Sequence, residues 1–473
     1  MPFSLRNTFA LLTVLAGFMA RPGQAQHVTI DSIKLAQTGG LYLPSAHRAM
    51  MFSLEPGPAD VTYFRQYVFS PSLGRHRRQS LRLPGRYVLS NSASSRQHVL
   101  YQLHKRGTDT LVTVVLDTLG QVVQLQREKA RKVRWQELSG SVAPQTDGFL
   151  LVEPVRRELV VRFLNPQLQV QWQHRFASAV GSVEVEQAAV DSTHAWLLVT
   201  TNATSRLAVT TAYAMELSTG KVLCRLPLDH NGERRVPGVS VMGPGHSLVL
   251  AGYSYPNNRP SRTSTGSLFS TRLHPDSTRT DERLVGLSAE ARLLTAQGRK
   301  VLWRALRPEA DGSMRLIGET YTSTSLGGHM AIGIVTGIAT LGIVRVSTTT
   351  LRPRDVVSLR LNPAGQLDQV QVLPLPDGGS FTVGGYLQAR RMAQQAAQAG
   401  VFRLRGFSAD SNRIVLRTER RILTLDLHSG QPVTVQQTPP TGYFDIWFVE
   451  PQHLLLYHEQ RSPQRIGLER IAY

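Results

Sequence analysis

Cysteine is nearly absent from this chain of 473 residues, with Cys224 standing alone. A single thiol makes no internal disulfide, so stability has to come from a buried core. Lysine is scarce as well: six of the 53 basic residues are lysine, and only 33 acids oppose them, leaving a formal charge of +20. Such an excess suits an anionic partner. The arginines are nevertheless scattered along the whole chain. The tightest cluster, Arg75, Arg77 and Arg78, is the candidate polyanion contact. A second, Arg127, Lys129, Arg131, Lys132 and Arg134, alternates with other residues near Glu128 and Glu137 and reads as a solvated strand or loop. No nucleic-acid partner is expected.

Long hydrophobic runs are missing. The N-terminal stretch Phe9–Ala20 is uncharged for 12 residues, short of the roughly 20 that a membrane span needs. It follows Arg6 and leads into Arg21-Pro-Gly-Gln-Ala25, with small residues at the −3 and −1 positions of a cut after Ala25. That is the layout of a secretory signal. Residues 1–25 are therefore expected to be removed, placing the protein in the periplasm or outside the cell. With no cysteine at the cut to carry a lipid, it is not expected to be a lipoprotein.

Catalytic signatures are also lacking. His458-Glu459 has no second histidine at the step of H-E-x-x-H, and Gly243-Pro-Gly-His246-Ser247 reads as a turn entering a strand rather than a nucleophile elbow. No phosphate-binding glycine loop and no Cys/His zinc spacing occurs. The 14 histidines are dispersed and read as surface or structural residues. No catalytic residue, metal or cofactor is assigned.

What the chain does contain is short runs of β-branched and aliphatic residues, among them Leu111–Leu116, Leu159–Leu164, Trp196–Thr200, Leu248–Tyr253 and Ile422–Leu427. Gly, Pro, Asn, Asp and Ser separate them. That is the pattern of short antiparallel strands, and the class is all-β. A phrase recurs at strand ends: an apolar residue, then Asp, Asn or Glu, then Gly. It stands at Leu116-Asp117-Thr-Leu-Gly120, Met215-Glu216 to Gly220, Leu361-Asn362 to Gly365 and Leu425-Asp426 to Gly430, with degenerate copies at Leu164-Asn165 and Leu273-His274-Pro-Asp276. Each reads as a tight turn between two strands. The copies start 48, 51, 58, 88 and 64 residues apart, and a step near 50 is one four-stranded propeller blade.

A second phrase opens strands, as in Asp147-Gly148, Gly245 to Gly252-Tyr253, Asp311-Gly312 to Gly318-Glu319 and Asp377-Gly378 to Gly385-Tyr386. It resembles the D-G-x-x-x-x-x-G-[EY] strand of kelch-like and related exported bacterial β-propellers. The resemblance covers residues 97–473, and the six copies with a last unit at Gln452–Tyr473 count to a β-propeller of about seven four-stranded blades, within a range of six to eight. Residues 26–96 form an N-terminal β segment, in which the alternating stretch Val28–Leu35 is a candidate ring-closing strand, and residues 377–407 are a candidate eighth blade. The rivals are a sandwich pair and an open solenoid.

Two insertions interrupt the period, at about 323–350 and 387–400. Within the first, Met330–Val344 has no charge. Met330, Ile332, Ile334, Val335, Ile338, Leu341 and Ile343 are candidate partner-binding residues, the other readings being a core element or a membrane-touching loop over 327–346. The second, Leu387–Ala399 before Gly400, reads as a short helical elaboration capping the body. The expected function is a non-enzymatic binding or scaffold role with a protein or glycan partner of the envelope. A hydrolase of envelope polymers with a site in the central pocket and a ligand-sensing partner of a membrane protein are the alternatives, and the body is expected to be monomeric.

Overall fold

The computed structural model describes most of residues 26–472. Residues 1–25, 32–36, 130–146, 203–207, 256–266, 286–299, 332–342, 385–391, 408–412, 438–442 and several shorter turns lie outside the description. The described residues form eight antiparallel sheets. Along the chain, blade 1 spans residues 37–84, blade 2 87–129, blade 3 149–177, blade 4 183–227, blade 5 234–285, blade 6 300–373, blade 7 404–437 and blade 8 443–472. Blade 8 takes its fourth strand, Gln26–Asp31, from the other end of the chain.

Strand sequence explains how the sheets stack. Successive side chains point to opposite faces, so a strand covered on both faces must be apolar throughout. In the second strand of blade 4 (His194–Thr201), Ala195, Leu197 and Val199 pack toward blade 3, whereas Trp196 and Leu198 pack toward blade 5. The same arrangement recurs around the molecule. One buried apolar cluster joins each neighbouring pair, from blades 1 and 2 through to blades 7 and 8. A last cluster joins blade 8 back to blade 1 through Leu455, Tyr457, Ile466 and Leu468 against Met51, Tyr67 and Phe69. A chain of interfaces that returns to its start is a closed ring: the fold is an eight-bladed β-propeller.

One further pairing joins the two ends of the chain within blade 8. Gln26–Asp31 runs antiparallel to Gln464–Ala472, in register from Gln26 opposite Arg470 to Asp31 opposite Arg465. Residues 26–96 hold this strand, all of blade 1 and the first strand of blade 2 (Tyr87–Ser94).

The recurring turn phrase marks one place in the fold, the last hairpin of a blade: between third and fourth strands in the four-stranded sheets, and between the last two described strands of the three-stranded sheet of blade 3. In blade 2, Asp117 Oδ1 accepts the N–H groups of Leu119 and Gln121, both at 2.8 Å. Asn165 in blade 3 and Asn362 in blade 6 do the same for Gln169 and Gln366. Gly120, Gly220 and Gly365 sit in the left-handed region at φ +76, +71 and +81, with Leu168 and Ser277 taking that conformation in blades 3 and 5. Two blades escape the phrase, so its six copies fall short of the eight blades. Blade 1 makes its hairpin with Ser70 and Leu73, the Leu73 N–H donating to Ser70 O. Blade 8 has no such hairpin, because its third and fourth strands come from opposite ends of the chain.

The proposed eighth blade at 377–407 is not one. Its described strand Phe381–Gly384 pairs instead with the third strand of blade 6, and Leu404–Phe407 opens blade 7. The first insertion is a hairpin growing out of blade 6. Strands Met314–Ala331 and Ile343–Leu361 stay paired well past the blade edge, to Met330 opposite Val344 and Ala331 opposite Ile343. Ile332, Ile334, Val335, Ile338 and Leu341 lie outside the described residues. In the second insertion, helical residues Met392, Ala393, Ala396 and Ala397 are buried against Tyr321, Leu351 and Phe402. The spacing gives a helical turn one apolar face, and blade 6 supplies the surface that covers it.

Candidate functional site

The first strands of neighbouring blades approach one another around the ring, and the fourth strands lie at the rim. The wall of the axis is thus built from first strands. Six of these carry a β-bulge at the same step, where pairing with the second strand skips one residue: Ser90, Glu186, Gly238, Arg304, Arg405 and Trp447 in blades 2, 4, 5, 6, 7 and 8. A bulge adds one residue to a strand and re-aims a side chain. Arg304 and Arg405, at the bulges of adjacent blades, both bring their charge to bear on the Glu319 carboxylate.

Glu319 is the terminal residue of the second strand phrase, and it is 2% exposed. Its carboxylate accepts the backbone N–H groups of Arg403 at 2.9 Å and Leu404 at 2.8 Å, tying blade 6 to the start of blade 7. Burial pushes its carboxyl above the usual range, while those two bonds and the charges of Arg304 and Arg405 pull the other way. Tyr253 holds the matching position in blade 5, where burial raises its phenol and Trp303 of blade 6 lies 6.3 Å away, ring to ring. Both residues clamp one blade to the next. Glu319 is spent on that clamp and is not free for acid–base chemistry.

Between the first strands of blades 5 (Arg234–Met242) and 6 (Lys300–Pro308) opens a pocket of about 430 Å³, lined by Val239, Ser240, Val241, Arg304, Leu306 and Arg307 among others. Arg304 is exposed to solvent there, and among the described residues its guanidinium has no hydrogen-bonded or ion-paired acceptor. Burial by the surrounding walls nevertheless pulls it below the usual arginine range, with the Glu319 carboxylate opposing. Water reaches this cation, but protein surrounds it. Arg307 is held with its guanidinium 4.2 Å from the centre of the Phe407 ring, which leaves the charge in place and fixes its direction. The pocket wall is otherwise largely apolar. Such a lining can hold an anion and has no nucleophile–base pair.

A second group of chemically capable side chains sits where blade 4 meets blade 5. The turn after the first strand of blade 4 carries Asp191, Thr193 and His194, and the matching turn of blade 5 carries His246. Asp191 Oδ1 accepts the N–H groups of Thr193 (2.8 Å) and His194 (2.7 Å), while Oδ2 lies 2.8 Å from His246 Nδ1. The two imidazoles stack, with centroids 4.2 Å apart and planes at 25°. Burial acts to raise the Asp191 carboxyl, but the His246 hydrogen bond and the two backbone N–H groups outweigh it and hold it below the usual range. Burial, and then the neighbouring His246, lower His194. Thr193 Oγ1 and Asp191 both approach Nδ1 of His246. A hydroxyl–imidazole–carboxylate relay needs its partners on opposite nitrogens, so this is not one.

The residues singled out in the sequence lie elsewhere. Arg77 and Arg78 are exposed on the outer strand of blade 1 (His76–Pro84), Arg78 stacking over Tyr67 at 6.0 Å, and Arg75 is outside the described residues. Met330 and Ile343 are at the far end of the blade 6 hairpin. Arg77, Arg78, Met330 and Ile343 are not among the residues of the axial pocket or the blade 4–5 cluster. Arg304 carries no phrase in the sequence; only the break in alternation across Trp303-Arg304-Ala305 signals it. The histidine cluster has no sequence signal, since 52 positions separate His194 from His246 and their meeting depends on blade stacking.

No family model matches this chain, and no curated protein matches it. Among solved structures, it is similar to the dihydro-heme d1 dehydrogenase NirN at 13% identity, covering 90% of this chain and 76% of that one, with a TM-score of 0.39. Similarity to a prolyl endopeptidase is at 12% identity and TM-score 0.39, covering 87% of this chain and about half, 53%, of that chain. A cobalt-substituted Synechocystis apocarotenoid oxygenase is similar at 11% identity and TM-score 0.36, covering 90% of this chain and 95% of that one. At this distance nothing about chemistry passes from those enzymes to this chain.

Proposed function

We propose that the protein is an exported binding protein that holds a small anionic ligand, carboxylate or phosphate bearing, in the axial pocket between blades 5 and 6. The observation that carries this is Arg304: a guanidinium without a hydrogen-bonded or ion-paired acceptor among the described residues, opening into a cavity of about 430 Å³. That volume falls in the range of small-molecule sites, and a planar guanidinium with five donors matches a carboxylate or phosphate. Arg307 supplies the second charge. Export is supported by the position of the ring-closing strand, which starts at Gln26, so removal of residues 1–25 leaves every described strand in place.

Titration calorimetry on residues 26–473 with citrate and with pyrophosphate tests the reading. Binding is expected to weaken as salt rises and to fall at least about tenfold in Arg304→Gln. Affinity indifferent to Arg304→Gln would overturn it. Turnover by the purified chain in a glycosidase, esterase and peptidase panel would favour the hydrolase alternative instead.

A further inference from the structure

Metal ions are held by several donors aimed at one point, and the blade 4–5 boundary gathers three. One Asp191 oxygen, one His194 nitrogen and one His246 nitrogen all lie within 4.8 Å of one another. We propose that Asp191, His194 and His246 bind a divalent transition-metal ion of the zinc, nickel and copper class, which clasps blade 4 to blade 5 where their first strands turn into their second.

The donor set selects the class. Two imidazoles and one carboxylate are borderline ligands that suit these ions, whereas calcium and magnesium ask for oxygen alone. Division of labour at Asp191 is what makes the carboxylate available. Oδ1 is occupied by the N–H groups of its own turn, which fixes the side chain and leaves Oδ2 pointing at blade 5. The 2.8 Å between Oδ2 and His246 Nδ1 is a little under the roughly 3.3 Å separating two tetrahedral ligands each about 2.0 Å from an ion. A proton shared across that gap is what an ion would replace. His194 Nδ1 lies 4.0 Å from Asp191 Oδ1, close enough to turn in as the third donor.

The supporting contacts resemble those around metal ligands in general, where neighbouring groups orient each donor. Trp196 Nε1 donates to the His246 carbonyl at 2.8 Å, and Gly245 and His246 are both left-handed, at φ 64 and 59, which lifts the imidazole out of its turn. Thr193 Oγ1 stands 2.8 Å from His194 Nδ1, a hydrogen bond that the ion would replace. The side chains of Asp191 and His194 are 19% and 18% exposed, and that of His246 is 48% exposed. One side is therefore open, and three protein donors with an open position leave room for a water ligand.

Cobalt(II) titration followed by its visible spectrum, with zinc competition and calorimetry, tests the site on residues 26–473. One equivalent is expected to bind, with the stronger absorption of a four- or five-coordinate ion and a rise in unfolding temperature. His246→Asn suits the left-handed backbone while removing the imidazole, and is expected to weaken binding at least about thirtyfold. His194→Gln and Asp191→Asn, the latter keeping the Oδ1 turn bonds, should each weaken it as well, whereas His104→Ala should not. Failure of the wild-type chain to bind either ion at millimolar concentration would overturn the proposal, as would affinity unchanged in both His246→Asn and His194→Gln.

Discussion

At the scale of single residues, the hairpin glycines and a few buried polar groups set the tolerances. Gly220 holds φ +71, and a β-carbon there would come within 2.5 Å of the Trp172 ring of blade 3, whose Nε1 donates to Leu217 O in the same turn. Gly220→Ala is expected to lose about 2 kcal/mol or more in urea unfolding, combining backbone strain with a displaced tryptophan. Glu309 gives a pH signature. Burial acts to raise its carboxyl, but hydrogen bonds from Ser313, Arg315 and Arg360 outweigh that and hold it at about 2. A depressed native value means that its stabilisation is complete above the ordinary glutamate range and is lost as pH falls toward about 2. Because the group is partly solvated, the loss is about 1–2 kcal/mol, and Glu309→Gln should flatten the acid limb of the stability profile by that amount. Cys224 is 4% exposed and burial pushes its thiol up, so a thiol reagent at neutral pH should label the unfolded chain and spare the native one.

Among the structural elements, the strand Gln26–Asp31 has the largest effect for its length. It covers the edge of Gln464–Ala472 and completes blade 8. Deleting residues 26–31 leaves blade 8 with three strands and an unpaired strand edge. The expected outcome is a lower unfolding temperature together with aggregation seen by light scattering, since uncovered edges pair with other chains. Glu319 plays the corresponding part between blades 6 and 7. Glu319→Ala strands the Arg403 and Leu404 N–H groups in a buried place and is expected to cost about 2–4 kcal/mol in chemical denaturation, whereas Glu319→Gln, which keeps one acceptor, should cost less. The blade 6 hairpin behaves differently. Its pairing inside the blade, Met314–Glu319 against Val356–Leu361, is complete without the outer arms. Replacing residues 325–348 by a short turn should therefore leave the unfolding temperature within a few degrees of the parent. If this apolar arm is the partner-binding element, the same variant loses its partners and keeps its fold.

For the whole molecule, eight interfaces in a closed circle put the chemistry in two kinds of place, the axis and the boundaries between blades. The axial arginines and the blade 4–5 histidines are separable, so anion binding should survive His246→Asn and metal binding should survive Arg304→Gln. The all-β class, the hairpin phrase and its blade-sized step are local properties: alternation, turn residues and left-handed glycines act over a few positions, and the chain displays them directly. Phrase counting stopped at six, because blade 1 turns on Ser70 and Leu73 and blade 8 has no such hairpin. Closure and site composition are not local. Arg304 faces the axis because a bulge in one strand breaks its pairing with the next, and Asp191 meets His246 because two blades stack face to face. The sequence by itself determined what each blade is made of and where most of its hairpins fall. Only the tertiary structure decided how many blades close the ring and which distant side chains meet, since both depend on contacts between residues tens to hundreds of positions apart.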